Sequence, residues 1–390
     1  MKKKNDLSQE MVALVRRALS HFENNTTDQA KKVMSMPIEA YIDEGRYKKE
    51  VNRIYKHLPL ALCLSSELPE VSSYRAMNIV DTPVLITRGE DSQVRAFLNV
   101  CRHRGSKVCQ EGRGKKRNFS CPYHAWTYNH QGQLIGLYGE KTFGEIDKSK
   151  FGLTQLSCAE SSGLIWVILT PGEILDITSW LGDFEPELET LSLKEWHIFD
   201  QRELRGPGWK VALDGYLEAY HHNQLHGKTV GKHTVGNLLV LDTYGPHQRL
   251  TFGRKSLRNL NKIPESDWKP LENIRLIHSG FPNLSISGVL GDHCLVSQIF
   301  PGSTPYETIT RQTILSAKKP KTKSENAKSQ DFSNMVLQAV QNEDYKIGME
   351  IQSNILNLSN SNFIYGRNEP AVQNYHLWIK KFMQSQGSGW

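Results

Sequence analysis

The chain lacks an apolar run approaching bilayer-spanning length, and its opening MKKKNDLSQEMVALVRRALSHFENN carries charges where a secretory leader needs an apolar centre. A soluble, cytoplasmic protein is therefore expected, with no membrane partner. It lacks a disulfide framework: six cysteines are present, but Cys63, Cys109, Cys158 and Cys294 follow no framework spacing and are expected to be reduced and mostly buried. It lacks a G-x-G-x-x-G turn before a helix, so no flavin or nicotinamide fingerprint is present. Basic runs interleaved with aromatics are also missing. The net charge of +7 is modest and concentrated in Lys2–Lys4, Lys115–Arg117 and Lys318–Lys323, which read as solvated loops rather than a nucleic-acid surface. No internal repeat is found. With 390 residues, 38% of them hydrophobic, the chain can fill two cores of ordinary domain size.

What the chain does have is CRHRGSKVCQEGRGKKRNFSCPYHAWTY, residues 101–128. Cys101/His103 and Cys121/His124 are too close in sequence for helical pairs, so tight turns must aim each thiol and imidazole at one point, Pro122 stiffening the second. Four such ligands could hold one zinc or a two-iron cluster. Common zinc fingers pair Cys with Cys and His with His, whereas each turn here mixes them, and that mixing suits a cluster with two Cys on one iron and two His on the other. Lys115–Arg117, beside these turns, could also attract an acidic electron donor.

Around this motif short strand-like segments recur, at 75–80, 84–88, 94–100, 133–137 and 163–169. They predict a small all-β domain ending near Pro171, with the Cys-His turns at the tips of two hairpins. Met11, Leu14, Val15, Ala18, Leu19 and Phe22 predict an amphipathic helix over 8–23 that packs on a core or a neighbouring subunit, and a short helix is expected near 46–57. Residues 172–193, rich in Leu, Glu and Pro, read as a linker. The polar segment 317–334 reads as a mobile loop before a helix over 332–358.

A second constellation lies in GWKVALDGYLEAYHHNQLH, residues 208–226. On a helix Glu218 and His221 share a face, as do Asp214 and Glu218. His226 would point well away, so the helix must bend or end near Asn223 for both imidazoles to meet one metal. Surface polar residues on an ordinary amphipathic helix are the alternative. His222 reads as an exposed neighbour, and His233, His247, His278 and His293 as structural.

The two motifs, in this order, resemble the Rieske non-haem iron oxygenases, catalytic α subunit, of the aromatic-ring-hydroxylating and carnitine-monooxygenase-like families. Arg104-Gly105, Ala125-Trp126-Thr127-Tyr128, Phe281-Pro282-Asn283, Asn342-Glu343-Asp344 and the segment 366–373 extend the likeness over nearly the whole chain. The resemblance implies an α+β fold. A small all-β Rieske [2Fe-2S] domain (38–171) would join a helix-grip, START/Bet v 1-like catalytic domain with an antiparallel sheet (172–390), and residues 1–37 would form a helical arm. It implies that Cys101, His103, Cys121 and His124 hold the [2Fe-2S] cluster. His221, His226 and Asp344 would hold a mononuclear Fe(II), with Glu343 as the alternative third ligand. Glu218 would bridge His221 to the His124 of a neighbour in a homotrimer.

The activity implied is O2-dependent hydroxylation of a small organic substrate, with electrons from a separate ferredoxin or flavin reductase, and the resemblance leaves room for a β subunit. Ring dihydroxylation, monooxygenation with demethylation, and quaternary-amine oxidation all fit. The sequence departs from the commoner pattern with Glu218 at the bridge, Asp214 where Asn is frequent and Gly208 opening the G-W-K motif, so the substrate class stays open. A non-catalytic Rieske electron carrier would need no second metal motif, and a zinc-binding regulatory module would hold no acid-labile sulfide.

Overall fold

A computed structural model describes residues 2–288, 292–358 and 362–385. These residues form two compact units, one within 2–50 and 196–384 and the other within 51–195.

The smaller unit is built from antiparallel strands. Five pair in the spatial order Gln155–Leu156, Val94–Leu98, Thr82–Arg88, Ser73–Ile79 and Gly112–Lys115. Leu60–Leu64, Leu164–Val167 and Cys158–Ser161 form a second sheet, and Phe119–Ser120, Thr127–Tyr128 and Leu134–Gly136 a third. The core includes Ala76, Leu85, Phe97, Phe119, Trp126 and Tyr128. The second Cys-His turn caps a hairpin, as expected. The first does not: the strands flanking it, Val94–Leu98 and Gly112–Lys115, lie three places apart in the sheet, so that turn sits on a crossover.

Two expectations are corrected. Residues 172–193 are no linker: helices Ile177–Leu181 and Phe184–Thr190 bury Trp180, Leu181, Phe184 and Leu188. Asp176 caps the first helix by accepting the Ser179 N–H. Leu193 passes so close to Gly163, which has a φ of +79°, that a Cβ there would lie 2.8 Å from the leucine Cβ. The compact unit therefore continues to Glu195, whereas the sequence division fell at 171. The polar stretch before Asn334 is likewise no loop. It is a helix, Lys323–Leu337, opened by a capping box in which Thr322 accepts the Glu325 N–H and Glu325 accepts the Thr322 N–H.

The larger unit is organised on a seven-stranded antiparallel sheet. Its spatial order is His197–Gly206, Thr308–Ser316, His293–Pro301, Leu284–Ser287, Ile274–Gly280, His247–Arg254 and Thr234–Tyr244. Helix Lys2–Asn24 packs Leu14, Val15, Ala18 and Leu19 against Leu238, Val240, Ile274 and Leu276 on the outer face. Strand Met34–Pro37 pairs with Asn362–Tyr365, which ties the N-terminal 50 residues to this unit. On the inner face Leu204, Leu295 and Ile314 pack against Ala212 of helix Trp209–Tyr216 and against Val336, Val340 and Tyr345. Those last three lie on a continuous helical path of α-helix Lys323–Leu337, π-helix Gln338–Asp344 and α-helix Tyr345–Asn354.

Candidate metal centres

The two Cys-His turns are built alike. In the first, Gly105 N–H bonds back to Cys101 O and Cys101 N–H to Ser106 O; in the second, Ala125 N–H bonds to Cys121 O and Cys121 N–H to Trp126 O. The fourth residue after each cysteine has a left-handed backbone, φ +76° at Gly105 and +54° at Ala125. That shared geometry swings the histidine two or three places after the cysteine back to the same side.

Cys101 and Cys121 are buried, and the rings of His103 and His124 lie 4.8 Å apart. Among the described residues, Nδ1 of both imidazoles is buried without a hydrogen-bond partner. Two inward ring nitrogens left open beside two buried thiols are the donor set that a two-iron cluster with mixed ligands requires. Tyr128 adds a contact that sequence reasoning missed. Its hydroxyl accepts the Arg102 N–H at 3.0 Å and lies 3.4 Å from Cys101 Sγ. His103 stacks on Trp126, with ring centroids 5.0 Å apart.

In the larger unit, helix Trp209–Tyr216 ends before Glu218, and 217–229 run as successive turns. Glu218 and His221 therefore do not share a regular helix face, a correction to the helical expectation, yet they still meet. Glu218 Oε1 bonds Nδ1 of His221, while Oε2 accepts the N–H groups of Tyr220 and His221. His226 follows in a turn closed by its N–H on His222 O.

One ligand atom each from His221, His226 and Asp344 lies within 4.8 Å of the others. Asp344 Oδ1 is 2.9 Å from Nε2 of His226 and 3.6 Å from Nε2 of His221. Glu343 turns elsewhere: its Oε2 is 2.6 Å from Nδ1 of His226 and 2.6 Å from Thr229 Oγ1. The π-helical turn widens the backbone at this point, which lets adjacent residues address opposite nitrogens of one ring. Three donors converge while each histidine has a carboxylate on its remaining nitrogen, the arrangement that fixes tautomer and orientation at a metal.

His222 is not the exposed neighbour expected. It is 5% exposed and packs its ring 5.1 Å from that of Phe252. Burial, then His221, Arg275 and His226, hold it well below the usual imidazole value, so it is neutral. His226 is raised: burial pulls it down, but hydrogen bonding and charge from Asp344 and then Glu343 prevail. Behind Glu218, Asp214 anchors a buried hub, accepting from Tyr41, from Tyr365 at 2.7 Å and from His376 at 2.8 Å. A cavity of about 580 Å³ has Glu218, His221 and Asp344 in its wall, together with Tyr345, Tyr365 and Glu369. Burial, then Glu218 and Asp214, raises the carboxyl of Glu369.

A unit with paired Cys-His turns, and a unit with a two-histidine, one-carboxylate cluster behind an antiparallel sheet, define a two-centre iron oxygenase. Residues 59–145 match the Rieske [2Fe-2S] domain and residues 193–385 the ring hydroxylating alpha subunit (catalytic domain). The chain is 26% identical to the glycine betaine monooxygenase oxygenase subunit of Chromohalobacter salexigens, over 72% of this chain and 71% of that one. With the Pseudomonas aeruginosa protein of the same description identity is 30%, but the match spans only 49% of this chain and 44% of the other. The biphenyl dioxygenase subunit alpha of Metapseudomonas furukawaii is 30% identical over 50% of this chain and 45% of its own length. A quaternary ammonium Rieske monooxygenase solved with L-carnitine superposes with a TM-score of 0.77 at 19% identity, covering 92% of this chain and 97% of that one. Naphthalene 1,2-dioxygenase from Rhodococcus sp. superposes at 0.71 and 19% identity, covering 97% and 99%.

The chain belongs to the Rieske non-haem iron oxygenases as an α subunit, an oxidoreductase that incorporates O2 and carries a Rieske [2Fe-2S] cluster and a mononuclear iron. Among the described residues no helix is long and apolar enough to cross a membrane.

Proposed function

We propose that this chain is the cytoplasmic terminal oxygenase of a multicomponent system, taking single electrons from a separate ferredoxin or flavin reductase and hydroxylating a small organic substrate. Cys101, His103, Cys121 and His124 would hold the cluster, and His221, His226 and Asp344 the iron. The convergence of these last three donors within 4.8 Å carries the reading. Two imidazoles and one carboxylate are a donor set that would hold Fe(II) without filling its coordination, and the metals, when bound, would supply one-electron delivery and oxygen activation.

The protein residues have separable tasks in this scheme. Glu343 holds His226 in the tautomer that leaves Nε2 toward Asp344, with Thr229 steadying the carboxylate. Glu218 holds His221 in the same way through Nδ1. In the proposed homotrimer Glu218 would also accept from the His124 of a neighbouring subunit, linking the two centres by one charged acceptor. The surface around Glu218 supports such docking: Ile347, Ile351, Leu358 and Ile364 are exposed there and line the same cavity. Tyr123, next to His124, is 60% exposed.

Quaternary-amine monooxygenation is a second reading beside ring hydroxylation. The glycine betaine relatives and Glu218 at the bridge position favour it. Oxygen uptake by the iron-loaded, reductase-coupled protein tests the proposal against aromatic acids, neutral arenes and betaines. Substrate-dependent uptake that needs both metals supports it. Electron transfer through the cluster without uptake on any substrate would make the chain a carrier instead.

A further inference from the structure

The inner face of the large sheet carries two arginines, Arg254 and Arg275, that form no ion pair among the described residues. Arg275 stands opposite Phe252 in the strand register, and Arg254 lies two residues beyond Phe252 on the same strand, so all three project from one face. Phe252 locates that face, because its ring packs on His222, whose own ring neighbours are His221 and His226. Among the described residues neither guanidinium has an ion-pair or hydrogen-bond partner, and Nε of Arg254 is buried and unpartnered. Burial, then Arg254, pushes Arg275 down to about 10, with Asp344 partly offsetting the push. Arg275 therefore lies within electrostatic reach of Arg254 and of the carboxylate at the iron site.

Two like charges beside each other and partly shielded from water are costly unless negative charge meets them. An apolar pair of the same bulk would pack against Phe252 without that cost. Charges kept in such a place suit a pocket whose missing anion arrives with the ligand.

We propose that Arg254 and Arg275 form the anion-binding end of the substrate pocket. On this assignment, which rests on the oxygenase reading above, the substrate carries a carboxylate or sulfonate. Its anionic group sits at the two guanidinium groups while the carbon to be oxidised faces His221, His226 and Asp344. A zwitterion such as a betaine satisfies the site, whereas a simple quaternary ammonium cation is repelled.

Calorimetric titration of the cluster- and iron-loaded protein, without any electron donor, tests the site. Benzoate, benzenesulfonate and glycine betaine are each compared with benzamide, benzenesulfonamide and choline, at about 0.2 M chloride to screen surface lysines. At least one anion should bind about tenfold or more tightly than its isostere, and Arg275→Gln and Arg254→Gln should each erase most of that preference. Arg254→Lys, which keeps the charge but not the fork, should retain part of it. Equal binding of acid and isostere across the panel overturns the proposal using wild-type protein alone, as does a preference unchanged in both folded glutamine variants. Anion preference without oxygen uptake on any substrate would sink the oxygenase reading and leave the anion site standing. Uptake on neutral substrates without anion preference would do the reverse.

Discussion

Glu343 Oε2 lies 2.6 Å from Nδ1 of His226, while the adjacent Asp344 has Oδ1 2.9 Å from Nε2 of the same ring. One imidazole is thus held between neighbouring residues with different tasks, so the two carboxylates should respond differently to removal. Asp344→Ala is expected to lose the mononuclear iron and turnover while keeping the brown cluster. Glu343→Gln should keep iron but bind it about 10–100-fold more weakly, the usual cost of losing a carboxylate behind a metal-bound histidine. Iron titration with a chromogenic chelator distinguishes them, and the reverse pattern would exchange their roles.

Cys101→Ser and Cys121→Ser should each abolish the visible iron-sulfur absorption, because a neutral hydroxyl is a poor replacement for thiolate. The mononuclear iron should survive, since its ligands come from the other compact unit. An intact cluster spectrum in both variants would remove these cysteines from the ligand set.

Tyr128→Phe should lower the cluster potential. The hydroxyl, 3.4 Å from Cys101 Sγ, stabilises the more negative reduced state, so its loss favours oxidation. A net hydrogen bond corresponds to a shift on the order of 20–65 mV for one electron. Redox titration followed by EPR reads it, and an upward shift would mean that the hydroxyl does not donate to sulfur.

Glu218→Gln should keep both metals and lose most turnover, since the amide retains size but not the charge that orients His221 and, in the proposed trimer, accepts from a neighbour's His124. Reduction by the external donor should stay fast and reoxidation of the cluster with substrate and O2 should become slow. Rapid single-turnover reoxidation would argue against a bridge.

Glu50→Leu tests stability away from chemistry. Glu50 is fully buried and bonds both Lys210 Nζ and Arg46 Nε, the latter at 2.8 Å. Removing it strands the buried ammonium, so the larger unit should lose about 3–5 kcal/mol in urea denaturation. A loss below about 1 kcal/mol would show that Lys210 finds water or another partner.

The first centre is legible in sequence because its geometry is local: C-x-H and C-P-x-H each require one tight turn. The second is half legible. His221 and His226 lie close together, but Asp344 comes from a distant helix and was placed only through the family likeness. Glu343's role was hidden because regular helical geometry does not send adjacent residues to one ring, and the π turn that allows it has no spacing signature. His222 looked like a surface residue because its burial depends on Phe252, far along the chain. Helix Lys323–Leu337 was obscured by polarity, although Thr322 and Glu325 already had the spacing of a capping box. Trp180, Leu181, Phe184 and Leu188 likewise had helical spacing inside a stretch whose Leu, Glu and Pro content read as a linker.

The sheet order also bears on how the protein is made. Strand His197–Gly206 is the first of its sheet to leave the ribosome, yet its only sheet neighbour among the described residues is Thr308–Ser316, the last. The five strands between can pair with their sequence neighbours as they emerge, but the leading strand must wait for about a hundred residues of synthesis, several seconds or more at ordinary elongation rates. His226 waits longer still, since Glu343 lies 117 positions downstream. A nascent chain stalled before the 338–344 turn would hold all four of the proposed cluster ligands but only His221 and His226 of the three proposed for the second centre. Cluster insertion could then precede iron loading during synthesis.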